Sequence, residues 1–261
     1  IYGMHPTVLH EDSTLVSSDF PHYTRTHLQS RFGDDLTVLY HTAPCGNQSP
    51  RYFVNGQTFE EAERLGGKLG EAAAGALETL ADHDFTRRCT LAGGLRQVDL
   101  PRSTLLSVTQ AEEQLAGCRA RYERLRAAGA ERAEVRTAEC AIFGAEGALV
   151  LARADERGDI ERALAAYRPA EVQTLGIGDG CVVGLPGEIF TEYALEIKRR
   201  SPAKTFAVSL VGGELQGYIV TPVAATRGGY EAANALFAPA AGATMVDVAL
   251  SMLPQDAQGP R

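Results

Sequence analysis

The feature that most constrains the fold is a change in hydrophobic period at Ala170. Upstream of it, apolar residues recur mainly at helical spacing. Downstream, short β-rich runs alternate with short helical segments. Val172 to Ile177 and Cys181 to Leu185 are expected to be strands joined by Gly178, Asp179 and Gly180, a turn that lets antiparallel strands meet. A helix is predicted from about Ile189 to Arg200. Strands follow near Phe206 to Val211 and Leu215 to Thr221, then a helix from about Tyr230 to Phe237, entered through Gly228 and Gly229. Strands that alternate with helices predict an α/β fold, with mixed β-sheets and flanking helices.

Upstream, Thr58 with Glu61 forms a capping-box pattern, and Phe59, Ala62, Leu65, Leu69, Ala73, Ala76 and Leu80 continue it as a helix over about 59–80. A second such pattern, Thr109 with Glu112, opens a charged helix to about Ala128 that stops at Gly129. Ala130 to Arg168 reads as more helix, its alternating charges forming solvated faces. Val98 and Leu100 flank Asp99 in strand-like alternation. Asp34 to Pro44, DDLTVLYHTAP, is expected to be a buried strand that delivers the loop CGNQSP.

With 261 residues, 44% of them hydrophobic, the chain is long enough to bury a sizeable core. A formal net charge of −8 with no long Lys/Arg run gives no footprint for nucleic-acid phosphates or anionic lipids. No apolar stretch reaches the ~20 residues of a membrane helix, and the Gly144 to Ala154 run is broken by Glu146 and Arg153. The start, IYGMHPTVL, has neither an initiator Met nor a basic region before an apolar one, so the chain is expected to be a processed or truncated piece of a longer protein. Five cysteines, an odd number without a CxxC pair, point to reduced thiols and a cytoplasmic setting. Five of the six histidines fall in residues 1–50, where metal-capable chemistry is concentrated: His5, His10, His22, His27 and His41.

Four residues can carry chemistry. His5 follows the apolar Ile1 to Met4, with Pro6 stopping any helix, so its imidazole can be presented at a strand end. Ser49 lies in CGNQSPR, a tight turn from which a hydroxyl can attack, donate to an oxyanion or orient water. Glu188 follows the Pro186–Gly187 corner after the strand CVVGL and is expected to begin a helix at the strand's C-terminal edge. Tyr218, in QGYIVTP, offers a phenol that can complete a metal shell or bond a carbonyl oxygen. Each of these alone has an ordinary structural role: a satisfied core histidine, a turn serine, a helix N-terminal glutamate and a half-buried strand tyrosine.

Taken together, HPTVL with SSDFP close behind, a strand into GNQSPR, then VVGLPGEIF, then GYIVTP followed by GGYE, resemble in order and spacing the neutral/alkaline (non-lysosomal) ceramidase family. The resemblance runs from residue 1 to about 253, as the C-terminal portion of that catalytic domain, and leaves 254–261 as a polar tail. It implies a zinc-dependent amide hydrolase with Zn2+ held by His5, Glu188 and Tyr218 and with Ser49 as the active-site serine, acting as nucleophile or as proton donor and oxyanion partner. The family's GDxSPN loop reads GNQSPR here, so Asn47 and Arg51 depart from it and bear on substrate identity. The family's further zinc-ligand histidine lies upstream of the HPT motif, which implies a partner: an upstream half, as a separate chain in a heteromer, supplying that ligand. With no Trp and no basic amphipathic helix, a small soluble amide is expected rather than a membrane lipid. Two other readings remain: a non-catalytic subunit or binding module of the same fold, and an ester or lactone hydrolase on the same zinc site.

Overall fold

The computed structural model describes residues 1–9, 13–166, 169–212 and 217–254. The expected polar tail, apart from Pro254, and His10 lie outside the described residues.

The α/β expectation holds. Strands β1 (Leu91–Val98), β2 (Ala170–Ile177), β3 (Gly180–Gly184) and β5 (Lys204–Val208) form a mixed sheet in the order β1-β2-β3-β5. The β2–β3 hairpin is antiparallel, with Ile177 opposite Gly180, as the Gly-Asp-Gly turn requires. β3 and β5 are parallel, with Val182 opposite Phe206, and helix α6 (Thr191–Arg200) lies between them in the chain, as parallel pairing requires a crossover.

Alternation gives this sheet two unlike faces. Val98, Ala170, Val172, Cys181, Val183, Thr205 and Ala207 share one face and are all buried. They belong to, or adjoin, a continuous core with Ile197 of α6 and Met245, Val246 and Ala249 of α9 (Ala240–Met252). Leu91, Leu95, Leu175, Ile177 and Phe206 share the other face and stand exposed.

Upstream, α1 (Phe20–Phe32) crosses α2 (Phe59–Glu78) around a smaller core of Val8, Phe20, Ala62 and Leu65. The helices approach closely because residue 66 is Gly: a Cβ there would lie 2.4 Å from the Phe20 carbonyl oxygen. Thr58 caps α2 by accepting from the Glu61 N–H, but the box is not reciprocal, because Glu61 accepts instead from Asn55 N–H and Arg64. A hairpin of α3 (Val108–Ala127) and α4 (Arg132–Glu156) follows, with Ala111, Ala138, Ala145, Ala148 and Ala152 buried. Its capping box is Ser107 with Gln110, two residues before the Thr109–Glu112 pattern. α5 (Asp159–Ala166) completes the helical stretch; the expected extension to Arg168 lies outside the described residues.

Three expectations need correction. Asp34 to Pro44 is neither a strand nor mostly buried; only Thr42 is bridged, to Tyr2. Its apolar residues do alternate, but beyond that bridge no neighbouring strand among the described residues satisfies its backbone. Glu188 does not begin a helix. Glu188–Ile189 is a short strand, β4, parallel to β6 (Tyr218–Ile219), and α6 starts at Thr191. The helix expected to run to Phe237 ends as α8 at Ala233, preceded by α7 (Pro222–Arg227). No helix among the described residues is long and apolar enough to cross a membrane.

Candidate active site

The four singled-out residues come from four separate stretches of chain, and backbone hydrogen bonds draw those stretches together. β4 is bonded on two sides. Glu188 N–H donates to the Gly217 carbonyl at 2.7 Å and Phe190 N–H to Ile219 at 3.2 Å, while the Ile189 carbonyl accepts from Gly46 N–H at 2.8 Å. The loop that carries Ser49 is thus stitched to the strand that carries Glu188. Gly46 permits the approach, since a Cβ at that position would sit 2.4 Å from the Glu188 carbonyl oxygen. His5 N–H donates to the Gln48 carbonyl at 3.0 Å, fixing the HPT segment to the same loop.

The side chains converge as well. His5 Nε2 lies 3.5 Å from Glu188 Oε2, and both side chains are mostly buried, at 19% and 22% exposure. Tyr218 stands directly opposite Glu188 in the β4–β6 register, while Ile189 and Ile219 turn into the core. Burial, then the charge of Glu188 and a hydrogen bond to it, push the Tyr218 phenol well above its ordinary pKa. Tyr230 packs edge-on against the Tyr218 ring, with centroids 5.8 Å apart. Cys45 is buried beside this group; desolvation and the Glu188 charge raise its thiol to about 11, so it stays protonated.

Ser49 sits at the head of the short 3-10 turn Pro50–Tyr52. Its Oγ accepts from Arg51 N–H at 3.3 Å and meets Thr7 Oγ1 at 3.4 Å. Among the described residues, no carboxylate or imidazole is hydrogen-bonded to it. His5, Ser49, Glu188 and Tyr218 all line one open cavity of about 1090 Å3. Of the other early histidines, His27 pairs with Glu71 at 3.1 Å and His22 packs on Tyr23.

Both departures from the ceramidase loop pattern have structural partners. Asn47 Oδ1 accepts from Thr191 N–H at 3.0 Å and its Nδ2 donates to Glu192 Oε2 at 2.8 Å, so it ties the loop to the first turn of α6. Asp could accept but could not donate to Glu192. Arg51 Nη1 donates to Cys140 Sγ on α4 at 2.9 Å, and Tyr52 bonds Thr137 of the same helix. Sequence reading did not assign roles to Thr7 or Tyr230, and marked Asn47 only as a departure from the ceramidase loop pattern. Thr7 lies within the HPT motif, and Tyr230 follows the Gly-Gly entry to its helix.

Among the described residues, no group of three or more His, Cys, Asp and Glu could hold a metal ion. The donors gathered here are instead one imidazole, one carboxylate and one phenol. All are nitrogen or oxygen donors of the kind Zn2+ accepts, so the set is chemically compatible with that ion.

These features define a mixed α/β protein with a polar, titratable cleft where a small two-stranded sheet meets a serine loop. Solved structures share this fold. A ceramidase complexed with C2 matches at a TM-score of 0.61 with 15% identity over 98% of this chain, and a neutral ceramidase from Pseudomonas aeruginosa at 0.57 with 13% identity over 99%. The chain spans less than half of each, 46% and 45% respectively. No protein-family model matches the sequence, and no curated protein does.

Proposed function

We propose that the chain carries the greater part of a zinc-dependent amide hydrolase site, with His5, Glu188 and Tyr218 as metal ligands and Ser49 at the scissile carbonyl. The convergence of these four residues on one cavity is the observation that carries the reading. Likeness of fold to ceramidases at 13–15% identity is consistent with it. Bound Zn2+ supplies carbonyl polarisation and a water acidic enough to attack near neutral pH. The protein's part is positioning. The β4–β6 pairing fixes the carboxylate and phenol side by side, and the His5–Gln48 backbone bond holds the imidazole to the serine loop. Ser49 Oγ, with no base bonded to it among the described residues, keeps its proton to donate to a developing oxyanion.

The reading includes a partner, an upstream half that supplies a fourth, histidine ligand. One observation supports it: the exposed apolar sheet face of Leu91, Leu95, Leu175, Ile177 and Phe206 is of the kind that interfaces cover.

Metal analysis of protein purified with its native companions tests the proposal. One zinc per complex is expected, lost in Glu188→Gln, together with turnover of small amides ahead of matched esters. A zinc-free complex that retains full amidase activity would overturn the metal assignment. A lone 27.9 kDa species with full zinc and activity would overturn the partner. Zinc binding without turnover of any amide or ester would leave a binding module.

A further inference from the structure

The charge of the cavity is opposite to that of the chain. The protein carries −8 overall, yet the cavity wall includes four arginines, Arg51, Arg121, Arg136 and Arg227, against two carboxylates, Glu188 and Glu231. They arrive from four separate elements: the serine turn, α3, α4 and the end of α7.

Their partners differ. Arg136 is paired with Glu139 at 2.6 Å and lies over the Phe143 ring. Arg51 is steered by Cys140 rather than by a carboxylate. Arg121 and Arg227 form no ion pair among the described residues, and unlike Arg25 or Arg124, which also form none, both line this cavity. Unpaired guanidiniums that face one cleft leave a positive potential there, and a cleft bounded by protein concentrates it. A planar guanidinium presents paired N–H donors that match a carboxylate or a phosphate.

We infer that the cavity takes an amide carrying an anionic group, a carboxylate or phosphate, held by Arg121 and Arg227 while the amide lies at Ser49. This rests on the proposed hydrolase reading and narrows its substrate class. Arg51, standing where the ceramidase pattern has Asn, adds a further cation to the same cavity wall, its guanidinium bonded to Cys140 of α4. A neutral-headed lipid amide would leave Arg121 and Arg227 without an anionic partner.

Calorimetric binding to the native, companion-bound protein tests this, using two matched pairs of probes: N-hexanoylglycine against N-hexanoylglycinamide, and N-hexanoylphosphoethanolamine against N-hexanoylethanolamine. One anionic probe is expected to bind about tenfold or more tightly than its neutral partner, as a charged hydrogen-bond pair provides. That preference should shrink with added salt. Arg121→Gln and Arg227→Gln should each remove several-fold of it, whereas Arg124→Gln, on α3 but outside the cavity lining, should not. The glycine pair responding alone assigns a carboxylate; the phosphate pair alone assigns a phosphate.

Equal affinity within both pairs, or a preference that survives both arginine substitutions, overturns the inference. Turnover of the neutral amides is read separately. If they are hydrolysed without any anion preference, the hydrolase reading stands and the anionic substrate falls. An arginine-dependent preference with no hydrolysis of any probe keeps the anion site and removes the hydrolase.

Discussion

The two sides of the cavity are built differently. Glu188 and Tyr218 stand on paired backbone, above a core that runs unbroken from Val98 through Ile219 to Leu253. His5 and Ser49 hang from irregular segments over a core of only four buried residues, Val8, Phe20, Ala62 and Leu65. One side resists displacement through packing density, and the other is located mainly by a few hydrogen bonds across the seam. The relative placement of these four residues therefore depends less on the strength of either core than on how firmly one is fastened to the other.

Core truncation makes the sharpest contrast. Phe20→Ala should cost about 3–5 kcal/mol and Ile219→Ala about 2–5 kcal/mol. Hydrogen exchange should separate them: the first loosens α1 and α2 while β2 and β3 stay protected, and the second lowers protection throughout the sheet. Equal loosening everywhere in both variants would erase the distinction between the two sides.

Gly46→Ala attacks the fastening itself. The new Cβ meets the Glu188 backbone, which cannot swing aside as a side chain can, so about 1–3 kcal/mol of stability is expected to be lost. Activity should fall by a larger factor than that loss predicts, because the serine loop moves relative to Glu188. Asn47→Asp is milder, at about 1 kcal/mol. It keeps the acceptor for Thr191 N–H but places a second carboxylate against Glu192, so urea midpoints should drop near pH 7 and recover in acid as the carboxylates are protonated.

The smallest effect is confined to α2. The Arg64 guanidinium, aided by Asn55 N–H, holds Glu61 down to about 2, below its ordinary 4.5. A depressed carboxylate contributes its stabilisation in full above its unfolded value and loses it as pH falls towards the folded one. Protection of α2 should therefore decline between about pH 4.5 and 2. Glu61→Gln should flatten that decline without altering the sheet.

What was readable in the sequence divides along the same line as the molecule. The β2–β3 hairpin and α2 could be read because their signals are local: alternation flanking Gly-Asp-Gly, and apolar residues at helical spacing behind Thr58. Asp34 to Pro44 and Glu188 misled because strand formation depends on a distant partner, lacking for most of the first and found thirty residues on, in β6, for the second. Helix α1 went unread although Asp19 and Pro21 mark its start, since its face is weakly patterned; α9 is apolar almost all round and offers no stripe to find. The order of the motifs brought out His5, Ser49, Glu188 and Tyr218, none of which stands out alone. Asn47 and Arg51 stood out in the sequence as departures from the loop pattern, but their contacts, and the placing of Arg121, Arg136 and Arg227 around one cavity, became legible only once their neighbours in space were known, because each meets residues from other parts of the chain.

The β4–β6 pair is only two residues long on each side, yet its parity decides which chemistry faces the cleft. A slip by one position would set an isoleucine where the carboxylate or the phenol belongs and drive an ionisable group into the oil beneath. Glu-Ile and Tyr-Ile, joined by their main-chain bonds, are thus locked in phase with each other and with the apolar layer they rest on.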